Sequence, residues 1–276
     1  MNLKRQARYM KRKKQAERVD INKLYEKSVQ NVGAELEFID KVYADHFNGN
    51  QPSILREDFS GTSALCCEWV KAGKDRQAIG VDLDEDVLAW AEIHNINKLD
   101  SKQRQRVELI HKDVLTVKTS KVDAIGAFNF SYWVFHKREE LKAYFKNCLQ
   151  GLNRDGLMFL DAFGGSDAYV VQKERTKYRT FTYVWHQAYF EPITARYRCH
   201  IGFEFPDGSK IPQAFTYDWR LWTLPEIKEV LLEAGFREVT IYWEEEDQNG
   251  DGTGNYLPET KGTNDAAWVV YLVAKK

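Results

Sequence analysis

Between residues 52 and 165, short apolar runs alternate five times with amphipathic stretches, and this alternation limits the fold more than any other property of the chain. "PSILREDF" reads as a strand, "TSALCCEWVKAG" as a helix closed by Gly73, "QAIGVDLD" as a second strand and "EDVLAWAEIHNINKL" as the next helix. "RVELIHKDVL" and "VDAIGAFNFSYWVF" supply two more strands, and "REELKAYFKNCLQGLNRDG" is a helix leading through a turn into the strand "LMFLDAFGG". A parallel strand can return only through a crossover of a dozen or more residues, normally a helix. The pattern therefore predicts an α/β fold with a mostly parallel sheet and helices on both faces.

The rhythm changes after Gly165. "TFTYVWHQAYF", "TARYRCHIGFEF" and "KIPQAFTYDWRLW" are long, aromatic and β-branched, and "PDGS" between the last two is a hairpin signal. They predict an antiparallel β insertion over residues 166–222. "TLPEIKEVLLEAGF" then restores a helix with Thr223 as N-cap, Pro225 in its first turn and Gly235 at its stop. "REVTIYWE" and "AAWVVYLVAKK" add two closing strands, giving a predicted seven-stranded sheet. Four regions follow: basic and amphipathic helices over 1–47, an α/β core over 48–165, the insertion over 166–222, and a helix with a strand pair over 223–276.

Bulk properties exclude several classes. The 276 residues are 43% hydrophobic and 29% charged, enough for one large core with a subdomain. A formal charge of -1 provides no global field to recruit nucleic acid or anionic lipid. The four cysteines form neither a disulfide framework nor a CxxC pair, and no segment reads as a secretory leader or a membrane span, so a cytoplasmic location is expected. Residues 1–18 hold eight Lys/Arg against Glu17 alone, which fits a solvated arm or a basic arm for RNA or an acidic partner. "DQNGDGTGNYLPE" imitates the opening of a calcium loop, but Pro258 stands where the bidentate acid belongs; a Gly-rich connection is expected and no metal site.

In open α/β sheets, ligands bind beyond the carboxyl ends of the strands where strand order reverses, beside the first strand. Residues 56–63 fall there. Asp82 stands 21 residues after Gly61, at the end of the second strand, where an acid can take ribose hydroxyls, and its neighbour Leu83 can lie against a base. Asp113 and the backbone of Val114 follow the third strand and can meet an exocyclic amine. A nucleoside is the expected ligand.

The pattern "REDFSGTSAL…GVDLD…KDVL…FNFSYWVF…GLNRDGLMFLDAFGG…WTLPEIKEVLLEAGF…AWVVYLVA" resembles the class I S-adenosylmethionine-dependent methyltransferases, and in wording a bacterial branch whose first motif reads E-D-F-C-G-T. The resemblance covers roughly residues 50–165 and 215–274. It puts Glu57 in the place of the family's motif acid, with Phe59, Gly61 and Ser63 at its three glycine positions. Two of those glycines are missing, so side chains of Ser60 or Thr62 would stand in for backbone contacts. It further implies Glu57 and Gly61 at the methionyl end of the cofactor, Asp82 at the ribose, Asp113 and Val114 at the adenine, and Asn129 beside the sulfur.

S-adenosylmethionine carries a sulfonium, an ammonium and a carboxylate. Glu57 and Asp58 are candidates for the ammonium; Arg56 either grips the carboxylate or pairs with Glu57 or Asp58. Tyr132 and Trp133 can face a cation or a substrate ring, or pack in the core. Methyl transfer needs alignment more than a covalent triad, and His136, His186 and His200 are the imidazoles able to serve as base. Tyr183 and Trp185 in the insertion, with Arg220 and Trp222 beyond it, are candidates for the acceptor pocket, and the insertion itself for a lid or an oligomer contact. The absence of the N-P-P-Y prolines at "NFSY" favours a small-molecule N or O acceptor over nucleic acid. An RNA or protein methylase guided by the basic arm and a non-catalytic cofactor-binding protein are the alternatives, and the chain is expected as a monomer or homodimer.

Overall fold

A computed structural model describes residues 13–276, so Lys4 to Arg12 of the basic arm lie outside the described residues. The chain divides into two compact units. The smaller is built from the described residues up to Ser28 together with Val170–Asp218, the larger from Val29–Tyr169 with Trp219–Lys276.

The helices are α1 (Ile21–Ser28), α2 (Val32–His46), α3 (Ala64–Ala72), α4 (Glu85–His94), α5 (Ser101–Arg104), α6 (Arg138–Gly151) and α7 (Leu224–Ala234). The first five strands are β1 (Ile54–Asp58), β2 (Gln77–Asp82), β3 (Val107–His111), β4 (Val122–Ala127) and β5 (Leu152–Gly164). The smaller unit holds β6 (Gln172–Lys177), β7 (Thr182–Glu191), β8 (Arg196–Glu204) and, as far as Asp218, β9 (Lys210–Arg220). The last three are β10 (Glu238–Glu246), β11 (Gly252–Glu259) and β12 (Trp268–Lys275).

In the larger unit the strand order is β11-β10-β12-β5-β4-β1-β2-β3. β1 pairs in parallel with both β2 and β4, so strand order reverses between β1 and β4, and the tip of β1 is the switch point. The helices form because their apolar residues recur at helical spacing. α3 buries Leu65, Cys66, Trp69 and Val70, and α6 buries Leu141, Tyr144, Phe145 and Cys148. α2 turns Phe38, Ile39 and Val42 into a core that also holds Leu65, Trp69, Phe159, Tyr242 and Val273. Truncating Ile39, which is wholly buried, to alanine would cost about 2–5 kcal/mol. α7 starts at a reciprocal Thr223–Glu226 capping box and stops at Gly235, whose φ of 114° closes the helix in the left-handed region.

Three elements differ from the sequence reading. The parallel core is as expected, but the sheet has an eighth strand: the segment read as a connection folds in part as β11, antiparallel to β10. β4 stops at Ala127, because Asn129 and Phe130 both take φ of 57°, and Ser131–Val134 follows as a 3-10 turn. The antiparallel sheet has four strands in the order β6-β7-β8-β9, since "QKERTK" pairs on β7.

The smaller unit has its own core of Phe181, Val184, Tyr197, Cys199, Ile201 and Phe203. α1 belongs to it, Tyr25 meeting the Phe215 ring at 5.0 Å, whereas α2 belongs to the larger unit. Among the described residues no helix is long and apolar enough to cross a membrane.

Candidate cofactor site at the tips of the parallel strands

The turn after β1 is strained and tied down. Phe59, Gly61 and Ser63 all adopt positive φ, between 48° and 57°, and only one of them is glycine. Backbone ties hold it: Ser60 N donates to Val81 O at 3.0 Å, and Ser63 N to Ser60 O at 2.7 Å. Asn95 Nδ2 donates to Thr62 O at 2.9 Å. Gly80 of β2 lets the turn lie close, because a Cβ there would come within 3.0 Å of Ser60 Oγ and 2.9 Å of a Leu109 methyl. Over Gly61 the space is open, its nearest atom to an added Cβ being Phe59 O at 4.0 Å.

Asp82 fixes this turn from β2. Its Oδ2 accepts from Gly61 N at 2.7 Å and its Oδ1 from Asp84 N at 2.9 Å. Each oxygen retains a further lone pair for a hydroxyl. Beside it Leu83 is 66% exposed, an apolar side chain held in the open, and the two residues line a groove of about 600 Å³ with Asp84, Glu85, Asp86 and His111. Asp113 accepts from Leu115 N at 2.8 Å, and the carbonyl of buried Val114 accepts from Asn147 Nδ2 at 2.8 Å. Gly61, Asp82, Leu83, Asp113 and Val114 thus follow or end three adjacent strands.

Glu57 is buried at the opposite end of the same turn. Its Oε2 accepts from Cys66 N at 3.3 Å and from Cys66 Sγ at 3.1 Å, so the carboxylate occupies the first turn of α3. Burial pushes its pKa up to about 8; the Cys66 hydrogen bonds oppose the rise, and Asp82 and Asp58 add to it. Two acids that the sequence reading did not single out join it. Glu35, on the buried stripe of α2, is pushed to about 8 by burial and then by Glu57 and Asp161. Asp161 of β5 is pushed to about 7 by burial, against the pull of two backbone donors, Phe130 N at 2.8 Å and Asn129 N at 2.7 Å. The signal for both was present, since each is an acid at an apolar position: Glu35 three residues before Phe38, and Asp161 inside "MFLDAF".

Several candidates are committed elsewhere. Strand alternation points Arg56 and Asp58 to the face opposite Glu57. There Arg56 Nε and Nη2 meet the two Asp58 oxygens at 2.8 and 2.9 Å, with Tyr144 OH on Oδ2 at 2.9 Å. Burial works against the Arg56 charge, but Asp58 outweighs it and holds the guanidinium above its ordinary range. Neither residue is available to a cofactor's carboxylate or ammonium. Tyr132 is wholly buried, its OH donating to Asp161 O at 2.8 Å, and Trp133 is packed on Phe163, ring centroids 4.7 Å apart. Trp222 is buried with Nε1 on Phe135 O at 3.1 Å; Arg220 lies 3.7 Å over its ring and pairs with Glu226 at 2.8 Å. These four side chains are packing and positioning groups of the larger unit.

In the smaller unit His186 and His200 face each other across β7 and β8, ring centroids 5.6 Å apart, and His200 Nδ1 meets Thr216 Oγ1 at 2.9 Å. Burial lowers both pKa values, with Lys173 adding to the fall in each. Tyr183 and Trp185 sit half-buried on β7, Trp185 Nε1 donating to Gln187 Oε1 at 3.2 Å. His136 is half-buried after the 3-10 turn. Among the described residues no group of three or more His, Cys, Asp or Glu is arranged to hold a metal ion.

Solved structures share this architecture. An S-adenosylmethionine-dependent methyltransferase from Clostridium acetobutylicum superposes with a TM-score of 0.67 at 17% identity, over 92% of this chain and 97% of that one. The chain has the class I methyltransferase fold. DesVI of Streptomyces venezuelae matches with a TM-score of 0.65 at 17% identity, over 93% and 98% of the two chains. CalS10, an amino pentose methyltransferase of Micromonospora echinaspora solved with S-adenosylmethionine bound, gives 0.64 at 14% identity over 93% and 97%. No family model matches the sequence, and no curated protein matches it.

The donor set suits the cofactor these class I folds are named for. Dinucleotide sites leave the helix N-terminus after the first strand free for a pyrophosphate. Here the Glu57 carboxylate takes that place, and Asp82, Asp84, Glu85 and Asp86 surround the neighbouring groove, so phosphate is repelled. A ligand with cationic groups and a phosphate-free nucleoside meets both conditions.

Proposed function

We propose that this protein is an S-adenosylmethionine-dependent methyltransferase acting on a small-molecule N or O acceptor. The observation that carries the reading is Glu57, a buried acid set across the first turn of α3 with Asp82 and Asp58 as the charges acting on it, a setting in which a bound cation would stabilise its charged form. In this reading Glu57 holds the cofactor's ammonium, Asp82 the ribose hydroxyls, Leu83 one face of the base, and Asp113 with the Val114 N–H its edge. Asn129, half-buried at the tip of β4, stands nearest the reacting end. Bound S-adenosylmethionine supplies a methyl group already activated by its sulfonium, so the chain's part is to align and dehydrate a nucleophile. The amino pentose acceptor of CalS10 supports a small-molecule acceptor.

Calorimetric titration with S-adenosylmethionine, S-adenosylhomocysteine and NAD tests this. Both adenosyl compounds are expected to bind and NAD to give no heat. Asp82→Asn should weaken both by about 10-fold to 100-fold, or about 1.4–2.8 kcal/mol, by removing the charge that orients the ribose. Binding of NAD alone, or unchanged affinity in the Asp82 variant, would contradict the assignment.

A further inference from the structure

Glu35 is 7% exposed, and no described residue donates a hydrogen bond or an ion pair to its carboxylate. Burying a charged acid without a partner is unfavourable, so in the ligand-free protein Glu35 holds its proton well above the ordinary glutamate range, and an arriving cation would stabilise its charged form. Among the described residues, the groups that act on it most are the acids Glu57 and Asp161. α2 lies along the sheet face bearing Phe159 and Tyr271, because Phe38, one turn after Glu35, stacks on Tyr271 at 4.4 Å and meets Phe159 edge-on at 6.1 Å. Tyr271 is the cross-strand partner of Asp161 and feels both acids. Asp161 in turn holds the strained corner at the tip of β4 through Asn129 N and Phe130 N.

Asp161 stands on the β5 side of the switch point, and Glu35 feels Glu57 at the tip of β1 as well as Asp161, whereas the groove of Asp82 and Leu83 lies on the β2–β3 side. A cofactor with its nucleoside over β2 and β3 and its ammonium on Glu57 leaves Glu35 and Asp161 to a second ligand beside its reacting end. Resting on the methyltransferase reading, we propose that Glu35 is the specificity residue for the methyl acceptor and selects an alkylammonium. The carboxylate binds the ammonium and then takes one of its protons: the N–H bond breaks, an O–H bond forms on Glu35, and the electron pair stays on nitrogen as the nucleophile. The proton then leaves Glu35 for water. An acidic acceptor finds no cation at Glu35 and Asp161, and a neutral hydroxyl gains no ion pair, so nitrogen is chosen over oxygen.

The test uses full-length protein saturated with S-adenosylhomocysteine and two probe pairs that differ only in the group at issue, cyclohexylamine against cyclohexanol and glucosamine against glucose. Calorimetry on the wild type should give each amine about tenfold tighter binding than its hydroxyl partner. Glu35→Gln should reduce that preference to about twofold with S-adenosylhomocysteine affinity unchanged, and Glu35→Asp should keep part of it. Thermal melting checks that both variants fold; a melted Gln variant leaves the Asp variant and the wild-type preference to decide. Equal binding of amine and hydroxyl by the wild type, or an intact preference in Glu35→Gln, overturns the inference alone. Failure of the wild type to bind S-adenosylhomocysteine overturns the methyltransferase reading, and the inference with it.

Discussion

Asp58 is the one acid at the tip of β1 that meets a full counter-charge inside the protein, and its removal shows what kind of residue it is. Asp58→Ala would leave Arg56 buried without a partner, a loss of about 3–5 kcal/mol read as a lower denaturation midpoint. Glu35 and Glu57 behave oppositely. Both are held at about 8 in the folded protein against 4.5 for an ordinary glutamate, so the native chain binds more protons than the unfolded one between those values. Their contribution to stability is complete below about pH 4.5 and is lost as pH rises through about 8. Melting temperature of the ligand-free protein should fall from about pH 5.5 to about pH 8.5, and Glu35→Gln should make that fall shallower. At this scale the sequence was partly legible. Spacing to the Gly-bearing turn found Asp82, and alternation along β1 would have turned Arg56 away from Glu57. Glu35 escaped because a helical stripe was read for its apolar members and its acid was passed over.

Elements were legible where one pattern ruled them and obscure where a distant partner did. α7 carries its start and stop in its own residues, Thr223 with Glu226 and Gly235, so the sequence sufficed. Thr223→Ala should cost about 1 kcal/mol, measurable as a lower urea midpoint. β4 looked longer than it is, since "FNFSYWVF" is apolar throughout; Asp161, more than thirty residues on, ends it by gripping two backbone N–H groups at positive φ. Asp161→Asn keeps only one acceptor oxygen for those donors and should destabilise by about 1–3 kcal/mol, with loss of fixed structure at Asn129 and Phe130 in hydrogen exchange. β11 was hidden for a similar reason. Its glycines read as a loop, yet Tyr256 pairs with Glu244 across the strands and packs on Tyr271 and Phe38, and that packing draws "GTGNYLPE" into the sheet.

The molecule as a whole carries a mostly parallel sheet with its switch point at the tip of β1, and a second unit with its own antiparallel core. Alternation of strand and helix made the first unit readable from sequence, because parallel pairing leaves few other arrangements. The second was readable only as a run of strands, and His200, Tyr183 and Trp185 belong to it without any local signal that would assign them a ligand. Around the switch point the acids sort into two kinds: Asp58 meets a counter-charge in Arg56, while Glu57, Glu35 and Asp161 are buried with raised pKa values. That division is the core of the account, and a crystal structure of the protein grown with S-adenosylhomocysteine tests it most directly. The account predicts adenosine density against Asp82 and Leu83 with the amino group of the ligand on Glu57; density on any other surface, or none at saturating ligand, would contradict it.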